Sequence, residues 1–451
     1  MDDNINSGET IYALASGPGR AGVAVVRLSG PGSGEVLTRL AGARPAPRRA
    51  AVRAIRDPIT GEILDRGLVL WFPSPASYTG EDMAELHVHG GRASIAAVLR
   101  ALAGLGPALG LRMAEPGEFT RRAFQSGKLD LTAAEGLADL VAAETETQRR
   151  QAFRQMEGAL GALYQGWRDS IVRACALMES EIDFSDQDLP EGLASAARAE
   201  IESLLAAIRA HLSDSNRGER VREGIRVAIV GPPNVGKSTL LNALVKREAA
   251  IVSESPGTTR DVIEVPLDIA GYRVVLADTA GVRDSSEPVE QEGVRRARAR
   301  ARDSDLAIVV FDPDSANMAD SILESTLKKD TQHIVIINKS DLPSGGSPRI
   351  SGLRVSAKTG SGLNELLQEI RSRIESLFGS DESLGPVLTR ARHRERLEAC
   401  VGHLARAIDA KSPELTAEDL RLAARELGAI TGHIDVENIL DAIFRDFCIG
   451  K

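Results

Sequence analysis

The sequence has little cysteine, no excess of positive charge and no long apolar run, and each absence narrows the class of protein. Its three cysteines, Cys175, Cys400 and Cys448, lie far apart and lack the spacing of a metal site. This usage suits a reducing cytosol better than a disulfide scaffold. With 55 basic and 64 acidic residues the net charge is −9, which argues against a wholly basic protein that coats nucleic acid.

Two further absences concern targeting. Residues 1–10 are polar and acidic, so we expect no signal peptide. No apolar run approaches the length needed to span a membrane. We therefore expect a soluble, cytoplasmic chain with no membrane contact, and a length of 451 residues predicts two to four domains.

One glycine-rich stretch organises the rest of the chain. Residues 231–238 read GPPNVGKS and fit the phosphate-loop pattern G-x-x-x-x-G-K-S/T. The apolar run 225–230 before it predicts a buried strand, and residues 239–246 predict a helix, which is the context that the pattern requires. Its glycines let backbone N–H groups face a nucleotide phosphate. Lys237 can then reach the β- and γ-phosphates, and the Ser238 hydroxyl can hold Mg²⁺.

Two motifs indicate which base the bound nucleotide carries. Asn338-Lys339-Ser340-Asp341 follows the predicted strand 333–337. The carboxylate of Asp341 can accept hydrogen bonds from the N1–H and the exocyclic amine of guanine, which adenine does not offer. Ser356-Ala357-Lys358, after one more short strand, fits the loop that closes over the base.

Two more motifs concern the metal and the γ-phosphate. Asp278-Thr279-Ala280-Gly281 ends the predicted strand 272–277, so Asp278 can hold Mg²⁺ through water and the N–H of Gly281 can meet the γ-phosphate. Thr258 or Thr259 can complete the metal shell. Together these motifs predict a GTPase.

The group that positions the attacking water is not the usual one. Ras-like enzymes place a Gln directly after the Gly of the D-x-x-G motif, and this chain has Val282 there. Glu290 is the candidate catalytic residue, acting through a bridging water, with Glu287 and Glu292 as nearby competitors. Asn234 can coordinate a monovalent cation beside the phosphates or can simply shape the loop, and the sequence leaves both readings open.

The patterning predicts a multidomain α/β and α protein, in which a helical domain is interrupted by an inserted Ras-like phosphate-loop GTPase domain with a mostly parallel sheet and helices on both faces. The boundaries that we predict are an α+β domain at 1–118, helical segments at 119–218 and 379–451, and the GTPase domain at 219–378. In the first domain we predict strands at 10–15, 22–28, 67–72 and 83–88 and helices at 33–40 and 93–102. We interpret residues 41–56 as a solvated loop and connecting strand.

Several stretches outside these motifs resemble one family over essentially the whole chain, the tRNA-modification GTPases called MnmE or TrmE. The stretches are Pro18-Gly19-Arg20, Arg27-Leu28-Ser29-Gly30, Tyr78-Thr79-Gly80-Glu81-Asp82, His89-Gly90-Gly91, Pro116-Gly117-Glu118-Phe119-Thr120, Lys128-Leu129-Asp130-Leu131 and the tail Phe447-Cys448-Ile449-Gly450-Lys451. The Cys-Ile-Gly-Lys terminus on such a GTPase is the most specific of them.

The resemblance implies a homodimer built by the N-terminal domain, which carries a tetrahydrofolate derivative (5-formyl- or methylene-tetrahydrofolate) as one-carbon donor. By matching position, Arg27, Glu85, Lys128 and Lys451 would contact the folate. Carboxylate recognition of a pteridine and cationic recognition of a glutamate tail are compatible with these residue types. Without the resemblance, Arg27 and Glu85 would be read as an ion pair on the strand surface.

The resemblance also implies K⁺ beside the GTP phosphates and hydrolysis when two GTPase domains meet, with Glu290 at the matching catalytic position. The metal ligands implied are Ser238 and Thr259 for Mg²⁺ and Asn234, Ser253, Ser255 and Thr258 for K⁺. The residues expected to bind GTP are Asn234, Val235, Gly236, Lys237, Ser238, Thr239, Ser253, Thr258, Thr259, Asp278, Thr279, Ala280, Gly281, Asn338, Lys339, Asp341, Ser356, Ala357 and Lys358.

The partner that the resemblance implies is MnmG, a protein that uses FAD and NADH. Together the two would add an aminomethyl or carboxymethylaminomethyl group to C5 of the wobble uridine in certain tRNAs. Two other functions stay open: a switch that gates binding to ribosomal RNA, for which a KH-type G-x-x-G loop is missing, and a folate enzyme whose GTPase domain is only regulatory.

A few residues have competing interpretations. Cys448 can act as a nucleophile near the folate or simply pack. His87 and His89 share one strand face but have no third ligand, so we interpret them as structural or surface residues. Arginines occur in two clusters, one read as a solvated helix face and one as a hypothetical contact to the tRNA backbone. The clusters are Arg295, Arg296, Arg298, Arg300 and Arg302, and then Arg390, Arg392, His393, Arg394 and Arg396.

Overall fold

The computed structural model describes most of the chain. The described residues are 8–17, 19–183, 193–213, 216–247, 264–278, 303–313, 332–342, 351–378, 385–434, 440, 443–445 and 447–451. They divide into two compact units, one made of residues 1–138, 156–169 and 424–451 and the other of residues 139–155 and 170–423.

The first unit contains a sheet whose described strands are ordered β3-β4-β5-β2-β1-β6. All neighbouring pairs are antiparallel except β1 with β6. The strands are β1 (Thr10–Leu14), β2 (Ala21–Ser29), β3 (Ala51–Arg56), β4 (Ile63–Phe72), β5 (Met83–Gly90) and β6 (Leu111–Met113).

The two faces of this sheet differ in polarity. On one face Val26, Leu28 and Leu86 are fully buried and pack in one apolar cluster with the helices α1 (Ser33–Ala41) and α2 (Arg92–Leu109). Because successive strand residues point to opposite faces, Arg27, Glu85 and His87 lie on the other face. That second face holds the polar residues that matter below.

Helix α2 is longer than the predicted helix 93–102 and runs through Pro107 to Leu109. With 18 residues and a mean hydropathy of 1.2 it is long and apolar enough to cross a membrane by length and composition, which corrects the expectation that no such run exists. One such helix is weak evidence, since a core helix passes the same test, and α2 contributes Val98, Leu102 and Leu105 to the sheet's buried cluster.

The remaining helices follow the apolar spacing of the sequence. Within the predicted helical segment 119–218, residues 131–142 form one such helix. In chain order the described helices are α3 (Glu118–Gln125), α4 (Leu131–Ala142), α5 (Glu146–Met156), α6 (Ala159–Asp183), α7 (Leu193–Ser213), α8 (Asn216–Glu223), α9 (Lys237–Arg247), α10 (Leu363–Phe378), α11 (Ala391–Asp409) and α12 (Pro413–Thr431).

The second unit contains a mostly parallel sheet, as predicted. Its described strands are ordered β12-β11-β10-β7-β9-β8, and the pair β8 with β9 is antiparallel. The strands are β7 (Ile225–Val230), β8 (Glu264–Ile269), β9 (Tyr272–Asp278), β10 (Leu306–Phe311), β11 (Gln332–Ile337) and β12 (Leu353–Arg354).

The central strands β7 and β10 are buried because they carry near-continuous apolar runs. All six residues of β10 are buried, and β7 exposes only Arg226. Such runs are typical of parallel strands that are covered on both faces. The carboxyl ends of parallel strands meet at one edge, so the polar segments that follow β7, β10 and β11 come together there.

Residues 41–56 contain the loop and the connecting strand that the sequence predicts. The strand is β3, which pairs with β4 at the edge of the sheet, from Ala51–Val69 to Arg56–Ile63. Only Ile55 of β3 is buried, so the segment has little of the apolar signal by which a strand is recognised in sequence.

Candidate functional site

The phosphate loop has the backbone shape that its glycines allow. Gly231 has φ +152° and Gly236 has φ +95°, and a Cβ on Gly236 would lie 2.4 Å from Nδ2 of Asn338. Asn234 has φ +62°, a conformation that Asn tolerates better than most residues. This angle favours the loop-shaping reading of Asn234 and is compatible with cation coordination.

Lys237 begins α9 and is directed back over the loop. Its Nζ donates to the carbonyl oxygens of Gly231 at 3.0 Å and Pro232 at 2.7 Å, and the residue is 8% exposed. Ser238 and Thr239 occupy the first turn of the same helix. Backbone N–H groups and the positive end of a helix make such a terminus an anion site, and here a fixed ammonium adds to it.

Asn338 connects the phosphate loop to the base-binding loops. Its Nδ2 donates to the carbonyl oxygen of Val235 at 2.8 Å, and its Oδ1 accepts from the N–H of Ala357 at 3.0 Å. The residue is 2% exposed, so both hydrogen bonds are shielded from water. Three segments that are separate in sequence are therefore held by one side chain, a role that the sequence motif alone does not reveal.

The base end of the site contains Asp341 and Ser356. The Ser356 hydroxyl donates to Oδ1 of Asp341 at 2.7 Å, and this hydrogen bond lowers the pKa of Asp341 from its usual value. The carboxylate is thus held ionised as an acceptor. Lys339, at φ +58°, forms an ion pair with Asp312 at 3.0 Å, a contact that sequence reasoning missed.

Asp278 is the last residue of β9 and pairs with Ile229 of β7. Its backbone therefore lies at the same edge of the sheet as the phosphate loop. The other predicted nucleotide, metal and catalytic positions lie outside the described residues. They are Ser253, Ser255, Thr258, Thr259, Thr279, Ala280, Gly281 and Glu290, together with the competitors Glu287 and Glu292.

A second group of predicted residues meets in the first unit. Arg27 of β2 lies opposite Glu85 of β5, and its Nη2 and Nε lie 3.0 and 3.1 Å from Oε1 of that carboxylate. The rings of Tyr78 and Phe119 flank the guanidinium, with centroids 5.6 and 5.9 Å from its Cζ. Both aromatic residues lie in stretches that carry the family resemblance but were not predicted as site residues.

The C-terminal tail reaches the same place. Ile449 pairs with Pro116, and the Gly117 N–H donates to the carbonyl oxygen of Cys448 at 3.4 Å. Burial and the positive charge of Arg27 lower the pKa of Lys451, which indicates that its ammonium lies near the guanidinium. Two cations held this close to each other favour an anionic ligand beside them.

Lys128 lies beside the neighbouring loop. A Cβ placed on Gly80 would be 3.4 Å from the Lys128 Cε, so this lysine packs against the loop that carries Tyr78. Cys448 is exposed, which leaves both of its readings open. Arg27, Glu85 and Lys451 are brought together, and Lys128 lies along the loop next to them.

A buried network fixes the loop that carries Tyr78. Arg122 is 8% exposed and donates to Glu118 and Glu81, both at 3.0 Å. Burial alone would raise the pKa of Glu118, but hydrogen bonds led by Arg112 outweigh it and lower that pKa. The Tyr78 hydroxyl lies 2.8 Å from Oγ1 of Thr120. These contacts hold the ring of Tyr78 in place beside Arg27.

The remaining candidates have local partners. Arg390 forms an ion pair with Asp139 at 2.7 Å and Arg394 with Glu219 at 2.9 Å, so these two cations are engaged within the protein. His87 contacts Glu85 and His89 contacts Asp65. Among the described residues there is no group of three or more His, Cys, Asp or Glu side chains that could hold a metal ion. The cluster 295–302 lies outside the described residues.

Taken together, the second unit has a phosphate loop at a helix terminus, tied by one asparagine to a carboxylate-bearing base loop. These features define a Ras-like GTPase domain. The first unit adds a polar cluster of Arg27, Glu85 and Lys451 that such a domain does not need by itself.

Comparison with known proteins identifies the family. The chain matches the family model described as the GTP-binding protein TrmE N-terminus over residues 10–128 and the MnmE helical domain over residues 131–448. It is 55% identical to the tRNA modification GTPase MnmE of Parvibaculum lavamentivorans, covering 98% of this chain and 100% of that protein. The chain belongs to the MnmE (TrmE) family of tRNA-modification GTPases.

Two other relatives show how widely this sequence type is distributed. The tRNA modification GTPase MnmE of Paramagnetospirillum magneticum is 54% identical and covers 98% of this chain and 100% of that protein. The mitochondrial 5-taurinomethyluridine tRNA synthase subunit GTPB3 of Homo sapiens is 48% identical, with 99% and 94% covered. The predicted family, fold class and GTPase activity are confirmed.

Proposed function

We propose that this chain is a K⁺-stimulated GTPase that acts in tRNA modification at C5 of the wobble uridine. The observation that carries the proposal is the pair of hydrogen bonds by which Asn338 joins the phosphate loop to the base loop. They occur in a chain whose relatives of nearly equal length are named for tRNA modification. Family membership favours this function over a ribosomal-RNA switch.

The GTP chemistry needs positive charge and an oriented water. Lys237 and the N-terminus of α9 would hold the phosphates, while Ser238, Thr259 and Asp278 would hold Mg²⁺, which neutralises charge that develops on the phosphates. Asn234, Ser253, Ser255 and Thr258 would hold K⁺. Glu290 would orient the attacking water, since Val282 has no group able to do so.

In the first unit, the polar cluster of Arg27, Glu85 and Lys451 beside Tyr78 is the proposed folate pocket. Glu85 offers a carboxylate to the N–H groups of a pteridine, and Arg27, Lys451 and Lys128 offer cations to the glutamate tail. Tyr78 supplies an aromatic wall next to them. The 5-formyl- or methylene-tetrahydrofolate would supply the one-carbon unit, and Cys448 stays a candidate nucleophile at the pocket's edge.

A homodimer through the first unit is supported by uncovered apolar residues on the polar face of its sheet. Val52 and Leu68, which lie opposite each other in register, are 69% and 40% exposed. A second copy would remove this surface from water. The proposed heterologous partner is MnmG, the FAD protein, and the human relative's printed name, synthase subunit, supports a partner of some kind. A cytoplasmic location stays a prediction.

GTP turnover in KCl and NaCl at equal ionic strength tests the proposed hydrolysis. We expect the parent to be at least about tenfold faster in K⁺, because a bound cation stabilises charge in the transition state. Asn234→Gly keeps the left-handed loop conformation but removes the side-chain oxygen, so the salt difference should disappear. Glu290→Ala should turn over about 100-fold more slowly while still binding GTP.

The glycine variant separates the two readings of Asn234. If Asn234→Gly keeps the full K⁺ preference, the residue only shapes the loop. Equal rates of the parent in both salts would contradict the K⁺ proposal itself.

A further inference from the structure

Glu85 is held from two sides by side chains of different strands. Its Oε1 accepts from Arg27 of β2, as described above, and its Oε2 lies 3.0 Å from Nε2 of His87, two residues along β5. Each carboxylate oxygen therefore has its own partner. Arg27 is one of the predicted folate contacts, whereas nothing in the family resemblance assigns a function to His87.

Apolar neighbours and partial burial protect the hydrogen bond between His87 and Glu85. Opposite it in register lie Val25 of β2 and Leu68 of β4, both apolar. The side chains of Glu85 and His87 are 16% and 26% exposed, so water competes only partly for their hydrogen bond. The charged groups beside Glu85 include the guanidinium of Arg27 and, close to that guanidinium, the ammonium of Lys451 from the tail.

The plane of a carboxylate rotates easily about the last side-chain bond, because terminal sp³–sp² torsion angles have broad distributions. Arg27 alone, bound to a single oxygen, leaves the second oxygen of Glu85 able to rotate. The contact with His87 fixes that second oxygen and so fixes the plane in which two parallel N–H donors can be accepted. Each carboxylate oxygen keeps acceptor capacity for such a ligand after these contacts.

We propose that His87 is a positioning residue for ligand recognition in this pocket: by donating from Nε2 to Glu85 it sets the carboxylate plane that receives the pteridine. The inference rests on the proposed folate site and deepens it. His87 acts through Glu85 and needs no contact with the ligand. A conservative replacement that still donates to Glu85 should therefore preserve binding.

His89 offers a matched control on the same strand. Its side chain is 72% exposed and it lies 2.7 Å from Asp65, a carboxylate outside the pocket. Changing His89 alters a histidine–carboxylate pair of the same type without altering the plane of Glu85.

The test is calorimetric titration of the full-length protein with 5-formyltetrahydrofolate. We expect His87→Leu to weaken binding about tenfold, the scale of one lost hydrogen bond to a charged group. His87→Gln, which retains a donor, should stay within about threefold of the parent. His89→Leu should bind like the parent. When Glu85 has already been changed to Gln, adding His87→Leu should weaken folate binding by less than a further twofold, because the carboxylate that His87 positions is gone.

The outcomes separate the two proposals. If the parent binds 5-formyltetrahydrofolate and His87→Leu binds equally well, the positioning role is wrong while the folate site stands. The positioning role is also wrong if His87→Leu lowers the folate affinity of the parent and of the Glu85→Gln variant by the same factor. A parent that does not bind the folate overturns both. Unchanged thermal unfolding in each variant, and unchanged GTP turnover in His89→Leu, show that the fold is retained.

Discussion

Asp341→Asn should lower the affinity for GTP by about 1,000-fold and raise the affinity for xanthosine triphosphate. The Ser356 hydroxyl donates to the carboxylate of Asp341 and lowers its pKa, and this ionised carboxylate is the proposed acceptor for two N–H donors of guanine. An asparagine presents one donor in place of an acceptor, so a buried N–H of the base is left unpaired, and mismatches of this kind cost about 10⁴–10⁵ in well-built sites. Competition binding with the two nucleotides measures both changes.

Asp268→Asn is the matched control for this change. Asp268 accepts from the N–H of Gly271 in the turn between β8 and β9, and an Asn can still accept there. The control should bind both nucleotides like the parent. If Asp341→Asn bound GTP as tightly as the parent, the assignment of the base loop would be wrong.

Gly236→Ala should reduce GTP affinity by at least about 100-fold. An added Cβ would lie 2.4 Å from Nδ2 of Asn338, which is buried and hydrogen-bonded at both ends of its amide and so has nowhere to move. The φ of +95° adds backbone strain for any residue other than glycine. Either the phosphate loop or the contact with Ala357 must shift, and both belong to the proposed nucleotide site. Equilibrium binding of a fluorescent GTP analogue measures the loss.

Gly385→Ala is the comparison for that variant, since a Cβ there meets no atom within 4 Å. It should bind GTP within about twofold of the parent. Affinity of Gly236→Ala within threefold of the parent would show that the Asn338 contact does not control the loop.

The parts of the fold that were predictable are those with strong local signals. The apolar run 225–230 predicted both ends of β7 correctly. A parallel strand that is covered on both faces forms a continuous apolar run, which is easy to recognise in a sequence. Helix α2 was predicted too short, since Gly104, Gly106 and Pro107 indicate an end. The helix nevertheless continues to Leu109, and Leu105 within this extension is buried in the core of the first unit.

The site was predictable as far as motifs extend. The motif residues Lys237, Asn338 and Asp341 were identified from sequence, but the contact of Asn338 with Val235 spans 103 positions and depends on strand order. Similarly, Tyr78 and His87 gain their significance from the registers that place Glu85 beside Arg27. Pairing register across a sheet is set by tertiary packing, so no local pattern could reveal it.

The most direct test of the proposed function follows one labelled carbon into tRNA. Unmodified tRNA would be incubated with this chain, the FAD-dependent partner, NADH, GTP, KCl, an ammonium salt or glycine as the amine donor, and a methylene-tetrahydrofolate that carries ¹³C in its one-carbon unit. Its nucleosides would then be analysed by mass spectrometry. We expect ¹³C in the C5 substituent of the wobble uridine, and we expect it to be lost when this chain or GTP is omitted. Label that appears equally without this chain, or a complete mixture that leaves the uridine unlabelled, would contradict it.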